Sequence, residues 1–197
     1  GKLNRNLRVG LLNMQTAKQP AAGLPGFNYT VATAQQQVFE RSNISAIVIN
    51  KQAINGEERS TIYNNYNRVA GQEYRLASAD NQWQGKAFYH HSFSPVESSQ
   101  NYSLGASLQY INRRIRAEFA HRQIGAGFNA EVGFVPRKDF AFYSPEVEVY
   151  FYPLKGVLNR HSVQVDYREL RQLGEPGAGV EVIGRPAVGI DHDRTPG

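Results

Sequence analysis

Short segments in which apolar and polar side chains alternate recur along this sequence, and a period of two is expected of β-strands. The most regular segment runs from Tyr102 to Tyr110. One side of it carries Tyr, Leu, Ala, Leu and Tyr, and the other side carries Ser, Gly, Ser and Gln. An aliphatic stripe with aromatic residues at both ends is typical of a strand that faces lipid, and it also suits one layer of a soluble sandwich.

The same alternation is found before and after this segment. After a turn at 112–113, Ile115, Ala117 and Phe119 alternate with charged residues, so the two segments predict a hairpin. Similar strands are predicted at 83–90, 146–151 and 163–168, and less regular ones at 7–14, 29–39, 44–51, 63–76 and 128–134. About ten strands result, and their spacing predicts an all-β, antiparallel up-and-down arrangement.

The last part of the chain, residues 171–197, interrupts this pattern. Glycines and prolines break any period there, so we expect an extended segment with one short strand at 180–183. The predicted organisation is therefore a domain of β-barrel strands and connecting loops over 1–170, followed by a Gly/Pro-rich extended segment over 171–197.

Composition narrows the class of protein. With 197 residues, 41% of them hydrophobic, the chain suits one domain. It has no cysteine, which excludes disulfides and thiolate metal sites. The net charge of +5 is spread along the chain, with basic residues beside acidic ones as in Arg116-Ala117-Glu118, so no nucleic-acid partner is expected.

The lengths of the apolar segments indicate whether the chain could cross a membrane with helices or with strands. No apolar run reaches the roughly 18 to 20 residues of a membrane-spanning helix. Strands of a membrane barrel need only about 9 to 11 residues, and every second side chain faces a polar interior. The pattern therefore favours an antiparallel up-and-down transmembrane β-barrel, of which this chain supplies a partial segment of about ten strands.

Three parts of the sequence resemble a known family. They are Asn28-Tyr-Thr-Val-Ala with Arg41-Ser-Asn-Ile-Ser-Ala-Ile47, Tyr66-Asn-Arg-Val-Ala-Gly71, and Phe128-Asn-Ala-Glu-Val-Gly-Phe-Val-Pro-Arg137. From Asn6 to Arg168 the chain is similar to the barrel region of bacterial outer-membrane proteins that pair a domain like family 9 carbohydrate-binding modules with a C-terminal β-barrel of uncharacterised function. The most specific part is a motif formed by Phe128, Asn129, Glu131, Gly133, Phe134, Pro136 and Arg137.

The resemblance implies a location in the bacterial outer membrane, contact with outer-membrane lipid, and association with other envelope proteins or a glycan. It brings no catalytic residues, no metal and no cofactor. Family members are several times longer, and their last strand ends in an aromatic residue, whereas this chain ends Asp193-Arg-Thr-Pro-Gly197. A fragment of the barrel is therefore expected.

If the apolar faces contact lipid, the reverse faces line the barrel interior. The polar residues expected to face this interior are Ser103, Ser107, Gln109, Arg114, Arg116, Glu118, Glu146 and Glu148. Glu146 and Glu148 lie two apart on one predicted strand, a separation of about 7 Å that inverting glycosidases use. Nothing near them in the sequence would give the two carboxyls different environments, so we expect interior acids paired with arginines rather than catalysis.

Two other sequence patterns, which are associated with metal binding and with nucleotide binding, lack the structural context that those functions require. His90 and His91 are adjacent, so they point to opposite faces of a strand and do not chelate one ion. Gly125-Ala-Gly-Phe-Asn-Ala130 matches G-x-G-x-x-A, but no helix is predicted after it, so a turn is expected. No metal site and no cofactor are predicted.

These observations leave three hypotheses for the function. The first is an outer-membrane barrel segment, linked to transport or carbohydrate and without catalytic activity. The alternative is a soluble, secreted β-sandwich that binds glycans through exposed tyrosines, with two layers packed on each other. The third is a glycan hydrolase that depends on Glu146 and Glu148.

Overall fold

A computed structural model of the chain describes residues 1–55, 60–96, 98–133, 135–153, 158–174 and 180–194, and for 158–159 and 180–194 it describes the backbone alone. Ten strands form one sheet. The strands are β1 (Leu7–Gln15), β2 (Gly26–Val38), β3 (Ser42–Ile54), β4 (Tyr66–Ala77), β5 (Trp83–Phe93), β6 (Tyr102–Ile111), β7 (Ile115–Ile124), β8 (Phe140–Phe151), β9 (Leu158–Gln172) and β10 (Val180–Arg194). A short 3-10 turn, Pro20–Ala22, lies between β1 and β2.

Each strand pairs with the next one along the chain, and every pair is antiparallel. The predicted all-β, antiparallel up-and-down order is confirmed. In the described part of the chain, β1 pairs only with β2 and β10 only with β9, so the sheet has two edges and is not closed. No helix among the described residues is long and apolar enough to cross a membrane.

The register divides the side chains between two faces, because directly opposed residues of neighbouring strands lie on the same side of a sheet. Leu108 of β6 lies opposite Gly85 of β5 and Phe119 of β7, and Phe119 lies opposite Pro145 of β8. We call this side the apolar face. The other side, to which the opposed pair of Gln109 and Glu118 belongs, is the polar face.

The apolar face is largely uncovered by the described residues. Leu11 is 79% exposed, Val48 is 53% exposed and Phe119 is 45% exposed. The other exposed large apolar residues on this face are Ile44, Ile54, Trp83, Tyr89, Phe93, Leu108, Ile115, Val147, Phe151 and Val165. On the polar face, the exposed large apolar strand residues are Leu12, Met14 and Ile111. The described residues thus form one layer rather than two packed layers.

The connections differ in length at the two ends of the sheet. At one end, which we call the long-loop end, they span 16–25, 55–65, 94–101, 125–139 and 173–179. At the other end, the short-turn end, they span 39–41, 78–82, 112–114 and 152–157. In the 112–114 turn, Asn112 Oδ1 accepts hydrogen bonds from the N–H groups of Arg114 at 2.7 Å and Ile115 at 2.8 Å. Such a local bond explains why so few residues suffice to reverse the chain.

The turn at 78–82 is closed by polar side chains as well. Asp80 accepts hydrogen bonds from the Ser78 hydroxyl at 2.6 Å and from the Gln82 N–H at 3.1 Å. Both bonds favour the carboxylate, so the pKa of Asp80 lies below its usual value. Asn81 adopts a left-handed backbone conformation with φ 59°, which asparagine tolerates better than most residues.

The apolar core is small and lies at the long-loop end of the polar face. It is a buried cluster of Ile124, Phe128, Phe140 and Leu170, against which Ala130, Val135 and Phe142 pack. Ile124, Phe140 and Leu170 belong to β7, β8 and β9, whereas Phe128 comes from the connection 125–139. The core therefore forms because that connection folds back over the sheet and removes apolar side chains from water.

The predicted strand at 128–134 is wrong. β7 ends at Ile124, and the residues from Gly125 to Gly133 form turns and irregular backbone, while Phe134 lies outside the described residues. Apolar and polar residues do alternate here. However, the N–H groups of Asn129 and Glu131 donate to side chains of distant strands instead of a neighbouring ladder. Tertiary contacts override the local pattern at this position.

The strand predicted at 180–183 is longer in the structure. The backbone of Val180–Arg194 forms a strand that pairs along β9, where the sequence predicts only a short strand at 180–183, and the boundary at 170/171 falls inside β9. Register shifts at Gly184 and Ala187 let the pairing continue past Pro186, which has no N–H to donate. Residues 175–179 and 195–197 lie outside the described residues.

Replacing a buried and an exposed phenylalanine with alanine should show that the two faces of the sheet differ in how far protein covers them. Phe128 is 4% exposed and Phe119 is 45% exposed. We expect Phe128→Ala to lower the free energy of unfolding by about 3 to 5 kcal/mol, because it leaves a cavity. Phe119→Ala should lower it by less than about 2 kcal/mol. Urea unfolding of the purified variants in detergent, followed by circular dichroism, measures both losses. Equal losses would mean that protein covers the apolar face.

Candidate functional site

The connection between β7 and β8, residues 125–139, crosses the polar face at the long-loop end, and we call it the in-folded loop. It leaves β7 and reaches back over β5 and β4. The Asn129 N–H donates to Ser92 Oγ of β5 at 2.9 Å, and Asn67 Nδ2 of β4 donates to the Asn129 carbonyl at 3.0 Å. The loop therefore ties together strands that are not neighbours in the sheet.

Asn67 is the polar anchor of the in-folded loop. Its side chain is fully buried on the polar face of β4. The amide nitrogen donates to the Asn129 carbonyl, and Oδ1 accepts a hydrogen bond from the Glu131 N–H at 3.3 Å. A buried amide costs free energy unless it is hydrogen-bonded, so Asn67 and the loop backbone stabilise each other.

An ion pair between Lys51 and Glu131 holds the part of the in-folded loop that lies farthest from β7. Lys51 of β3 is buried, and its ammonium donates to Glu131 Oε2. Glu131 Oε1 also accepts hydrogen bonds from Asn64 Nδ2 at 2.5 Å and from Asn129 Nδ2 at 3.3 Å. The Lys51 ammonium lies 4.3 Å from the centre of the Phe27 ring, where a cation–π contact offsets part of its desolvation. The loop thus reaches from β7 to β3.

Two glycines let the neighbouring connection, 94–101, pack against the in-folded loop. A Cβ atom on Gly125 would overlap the Gln100 carbonyl, and one on Gly127 would overlap Ser98 and Asn101. Both glycines belong to the G-x-G-x-x-A pattern, which forms a turn as predicted. Here the missing side chains allow two loops to approach closely.

Seven of the eight polar residues expected to share one face do share it, and Arg114 lies in a turn. The register places Ser103, Ser107, Gln109, Arg116, Glu118, Glu146 and Glu148 on the polar face. Arg114 lies in the 112–114 turn, and its carbonyl accepts a hydrogen bond from the Tyr150 N–H at 2.8 Å. Glu148 accepts a hydrogen bond from the Tyr150 hydroxyl at 2.7 Å. Ser103 is buried near the long-loop end, whereas Gln109, Arg116, Glu118, Glu146 and Glu148 lie toward the short-turn end.

A network of charges joins β6, β7 and β8 on this surface. Arg116 lies 3.2 Å from Glu118 and 4.0 Å from Glu146 of the neighbouring strand. Gln109 Nε2 donates to Glu118 at 3.0 Å. The predicted pairing of an acid with an arginine from the next strand is confirmed for Glu146. This pairing gives Glu146 and Glu148 different partners on the same face.

A second cluster of charges lies on β4 and β5. Glu73 is 2.5 Å from Arg75 and 2.7 Å from Lys86, so it neutralises part of two cations at once. The arginine and lysine side chains are 62% and 42% exposed, whereas that of Glu73 is only 18% exposed. The charges of this cluster are therefore paired but remain accessible to water.

The described residues contain no group of three or more histidine, cysteine, aspartate or glutamate side chains placed to hold a metal ion. His90 and His91 lie on opposite faces, as the alternation predicts. The His90 ring covers Gly71 on the polar face, where a Cβ atom would overlap it. The His91 ring centre lies 6.4 Å from that of Tyr89 and 4.6 Å from that of Phe93 on the apolar face.

Sequence reasoning misses the strand residues that hold the in-folded loop. Lys51, Asn67 and Ser92 each bond to loop residues that are distant in sequence, and a polar residue in a strand carries no local mark of its partner. The motif brought in by the resemblance does lie in this loop. Phe128 of this motif enters the core, and Asn129 and Glu131 form the polar contacts. Gly133, Pro136 and Arg137 lie further along the loop, and Phe134 lies outside the described residues.

Removing the Lys51 ammonium should loosen the in-folded loop. In Lys51→Met, Glu131 keeps a poorly solvated charge without its cation, and we expect the free energy of unfolding to fall by about 3 kcal/mol. Adding Glu131→Leu removes the second charge and should recover part of this loss. Lys86→Met is the matched control, with an expected loss below about 1 kcal/mol because that ammonium is exposed. Denaturant unfolding measures all three, and an equal loss in the control would contradict a special role for Lys51.

Comparison of the chain with models of protein families, with curated proteins and with solved structures finds no match in any of the three. The two faces of the sheet, the in-folded loop and the resemblance of the sequence are the observations from which a function is inferred.

Proposed function

We propose that the chain forms part of the wall of a transmembrane β-barrel in the bacterial outer membrane, with its apolar face against lipid and its polar face toward an aqueous interior. The observation that carries this proposal is the division of the sheet into two faces. Among the described residues, most of the exposed large apolar strand residues lie on one face, whereas the in-folded loop and most of the ion pairs lie on the other. The ion pair of Glu169 and Arg171 lies on the apolar face, toward the long-loop end. Apolar surface of this extent is unfavourable in water and favourable in hydrocarbon.

The apolar face changes character along the strands, and this change supports the proposal. Toward the long-loop end it carries Asn13, which donates to Thr30 at 2.8 Å, and Asn50, which accepts a hydrogen bond from Arg68 at 3.0 Å. Toward the short-turn end, β3 carries the exposed Val48 on the same face, and Ile54 at the long-loop end is the apolar exception to this order. A strand that leaves the hydrocarbon before it ends would show this order, apolar within the lipid and polar beyond it.

Aromatic residues border the apolar part. The rings of Trp83 and Tyr110 lie 4.7 Å apart near the short-turn end, and Phe93 and Tyr102 lie near the long-loop end of the same two strands. Trp83 and Phe93 are separated by about 33 Å along β5, at roughly 3.3 Å per residue. For a strand tilted by about 40°, this distance corresponds to a depth of about 25 Å, the height of the apolar band in outer-membrane barrels.

The lengths of the connections suggest an orientation. Outer-membrane barrels have short turns on the periplasmic side and longer loops on the extracellular side. The short-turn end would therefore face the periplasm, and the in-folded loop would lie inside the extracellular mouth. The resemblance of the sequence implies the same membrane, and it alone supports an association with other envelope proteins or a glycan.

The in-folded loop would narrow the interior of this barrel. Its polar side is fixed by Asn67 and Lys51, and its apolar side is fixed by Phe128 in the core cluster. A loop held at both sides is a permanent constriction, so we propose that it limits the size of solutes that pass.

A soluble sandwich would require a second layer packed on the apolar face. The described residues form one layer, and the exposed tyrosines are divided between different parts of the chain. Tyr89 lies on the apolar face, whereas Tyr152 lies beyond the end of β8. The membrane proposal accounts for the uncovered face without another layer.

Trp83 is the single tryptophan of the chain and lies on the apolar face, so its fluorescence tests the proposal. In vesicles that contain brominated phosphatidylcholine, we expect strong quenching of Trp83, because bromine quenches an indole that it contacts. Quenching should be strongest for bromine near the headgroups, where tryptophan is enriched. Fluorescence intensity in brominated and ordinary vesicles measures the effect.

The matched control moves the indole to the polar face. In the Trp83→Phe, Phe88→Trp variant, the tryptophan should show little quenching by the same lipids. Equal quenching at the two positions would contradict the assignment of the faces. A chain that stays monodisperse without detergent and does not enter vesicles would contradict the membrane proposal itself.

Neighbouring residues of β6 offer a second test, because they point to opposite faces. Leu108→Arg would place a charge in the lipid and should lower the free energy of unfolding in vesicles by about 2 to 4 kcal/mol. Ser107→Arg would place the same charge on the polar face, with an expected loss below about 1 kcal/mol. Urea titration of both variants in vesicles measures the difference, and a larger loss for Ser107→Arg would reverse the assigned faces.

A further inference from the structure

A depression on the polar face lies beside the core cluster, and the constriction does not use it. Its volume is about 390 Å³, within the range of pockets that bind small molecules. Ser107 and Ala120, an opposed pair of small residues on β6 and β7, form its floor. Larger side chains surround this floor, and they include Phe88, Phe140 and Phe142. Small residues between large ones are what leave the space open.

The register explains why aromatic rings and a cation meet here. Phe88 lies opposite Gly105, Gly105 lies opposite Arg122, and Arg122 lies opposite Phe142. Because Gly105 has no side chain, the Phe88 ring extends over β6, and a Cβ atom on Gly105 would lie only 2.6 Å from it. The Phe88 ring therefore extends over β6 toward the strand that carries Arg122, and Phe142 lies opposite Arg122 on β8.

The two cations that line the depression differ in their partners. The Lys86 ammonium is 2.7 Å from Glu73, so a carboxylate already balances its charge. The Arg122 guanidinium is exposed, and it makes no ion pair or hydrogen bond with any described residue. Among the described residues, the depression therefore presents the charge of Arg122 without a compensating carboxylate, near aromatic side chains.

We propose that this depression, the Arg122 pocket, binds small aromatic carboxylates that carry a single negative charge. A planar guanidinium pairs with a carboxylate through two parallel hydrogen bonds. The aromatic part of the ligand packs against Phe88 and Phe142, with ring contacts that add to the burial of apolar surface. The site does not depend on whether the apolar face contacts lipid.

Other small anions and neutral solutes suit the pocket less well. A phosphate dianion would need more than one free cation and would lose its hydration against phenylalanine rings. A sugar would need many hydrogen-bonding groups, whereas the polar side chains that line the pocket from the polar face are Lys86, Ser107 and Arg122. The chemistry therefore favours a monoanion with a flat apolar body.

The test uses 2-naphthoate as the probe and 2-naphthamide as its neutral isostere, with the purified chain in non-ionic detergent. Isothermal titration should show saturable binding of one naphthoate per chain, with at least tenfold weaker binding of the amide. Arg122→Gln should weaken naphthoate binding about tenfold and leave amide binding unchanged, and Arg122→Lys should retain part of the affinity. Arg114→Gln, in the distant 112–114 turn, is the matched control and should bind like the unmodified chain. Phe142→Leu should weaken both probes.

Several results would overturn the Arg122 pocket. They are equal affinity for naphthoate and naphthamide, an unchanged affinity in Arg122→Gln, and displacement of naphthoate by inorganic phosphate or glucose at equal concentration.

The outcome is separable from that of the membrane proposal. A chain that enters vesicles but fails to discriminate the probes refutes the pocket alone, and a soluble chain that binds naphthoate through Arg122 refutes the membrane location alone.

Discussion

A single sheet ten strands wide satisfies the backbone of its inner strands within the ladder but leaves two broad faces, and each face needs surroundings that suit its side chains. In this chain the polar face is partly covered by the chain itself, through the in-folded loop. The apolar face has no such cover among the described residues, and residues such as Leu11 and Val48 are more than half exposed. At about 25 cal/mol per Å² of apolar area, contact with hydrocarbon would stabilise this face considerably. The stability of the sheet therefore depends on what covers the apolar face.

The two faces also explain why the in-folded loop takes its path. A loop that carries Asn129 and Glu131 can lie against a sheet only where polar partners meet its backbone and its carboxylate, and Asn67 and Lys51 provide them on the polar face. On the apolar face the same groups would be buried without hydrogen bonds. The loop covers the long-loop end alone, so the middle of the polar face stays accessible. The Arg122 pocket lies in that uncovered part, and no carboxylate of the described residues pairs with its arginine.

Local patterns predicted the sheet well because strand alternation is a local property. Tyr102 to Tyr110 and Ile115 to Phe119 showed both the strands and their faces, and the register places the predicted polar residues together. The in-folded loop could not be predicted from its pattern, because Phe128 and Asn129 alternate as a strand would and only distant partners decide otherwise. β10 was missed for a different reason. Pro186 and its neighbouring glycines suggest an interruption, yet register shifts allow the pairing with β9 to continue.

The edge strands impose a further requirement, because their outward-pointing backbone groups also need hydrogen-bond partners. Residues at the N-terminus cover the start of β1, where the Val9 N–H donates to the Gly1 carbonyl at 2.8 Å. Further along, the N–H groups of Leu11 and Asn13 point the same way, because alternate residues of a strand donate to the same side. No described residue pairs with them, and an unpaired N–H costs several kcal/mol in hydrocarbon but little in water. A lipid-covered apolar face thus demands that this edge pair with another strand. Membrane location and completion of the hydrogen-bond ladder are therefore one physical condition, which a soluble sheet would not have to meet.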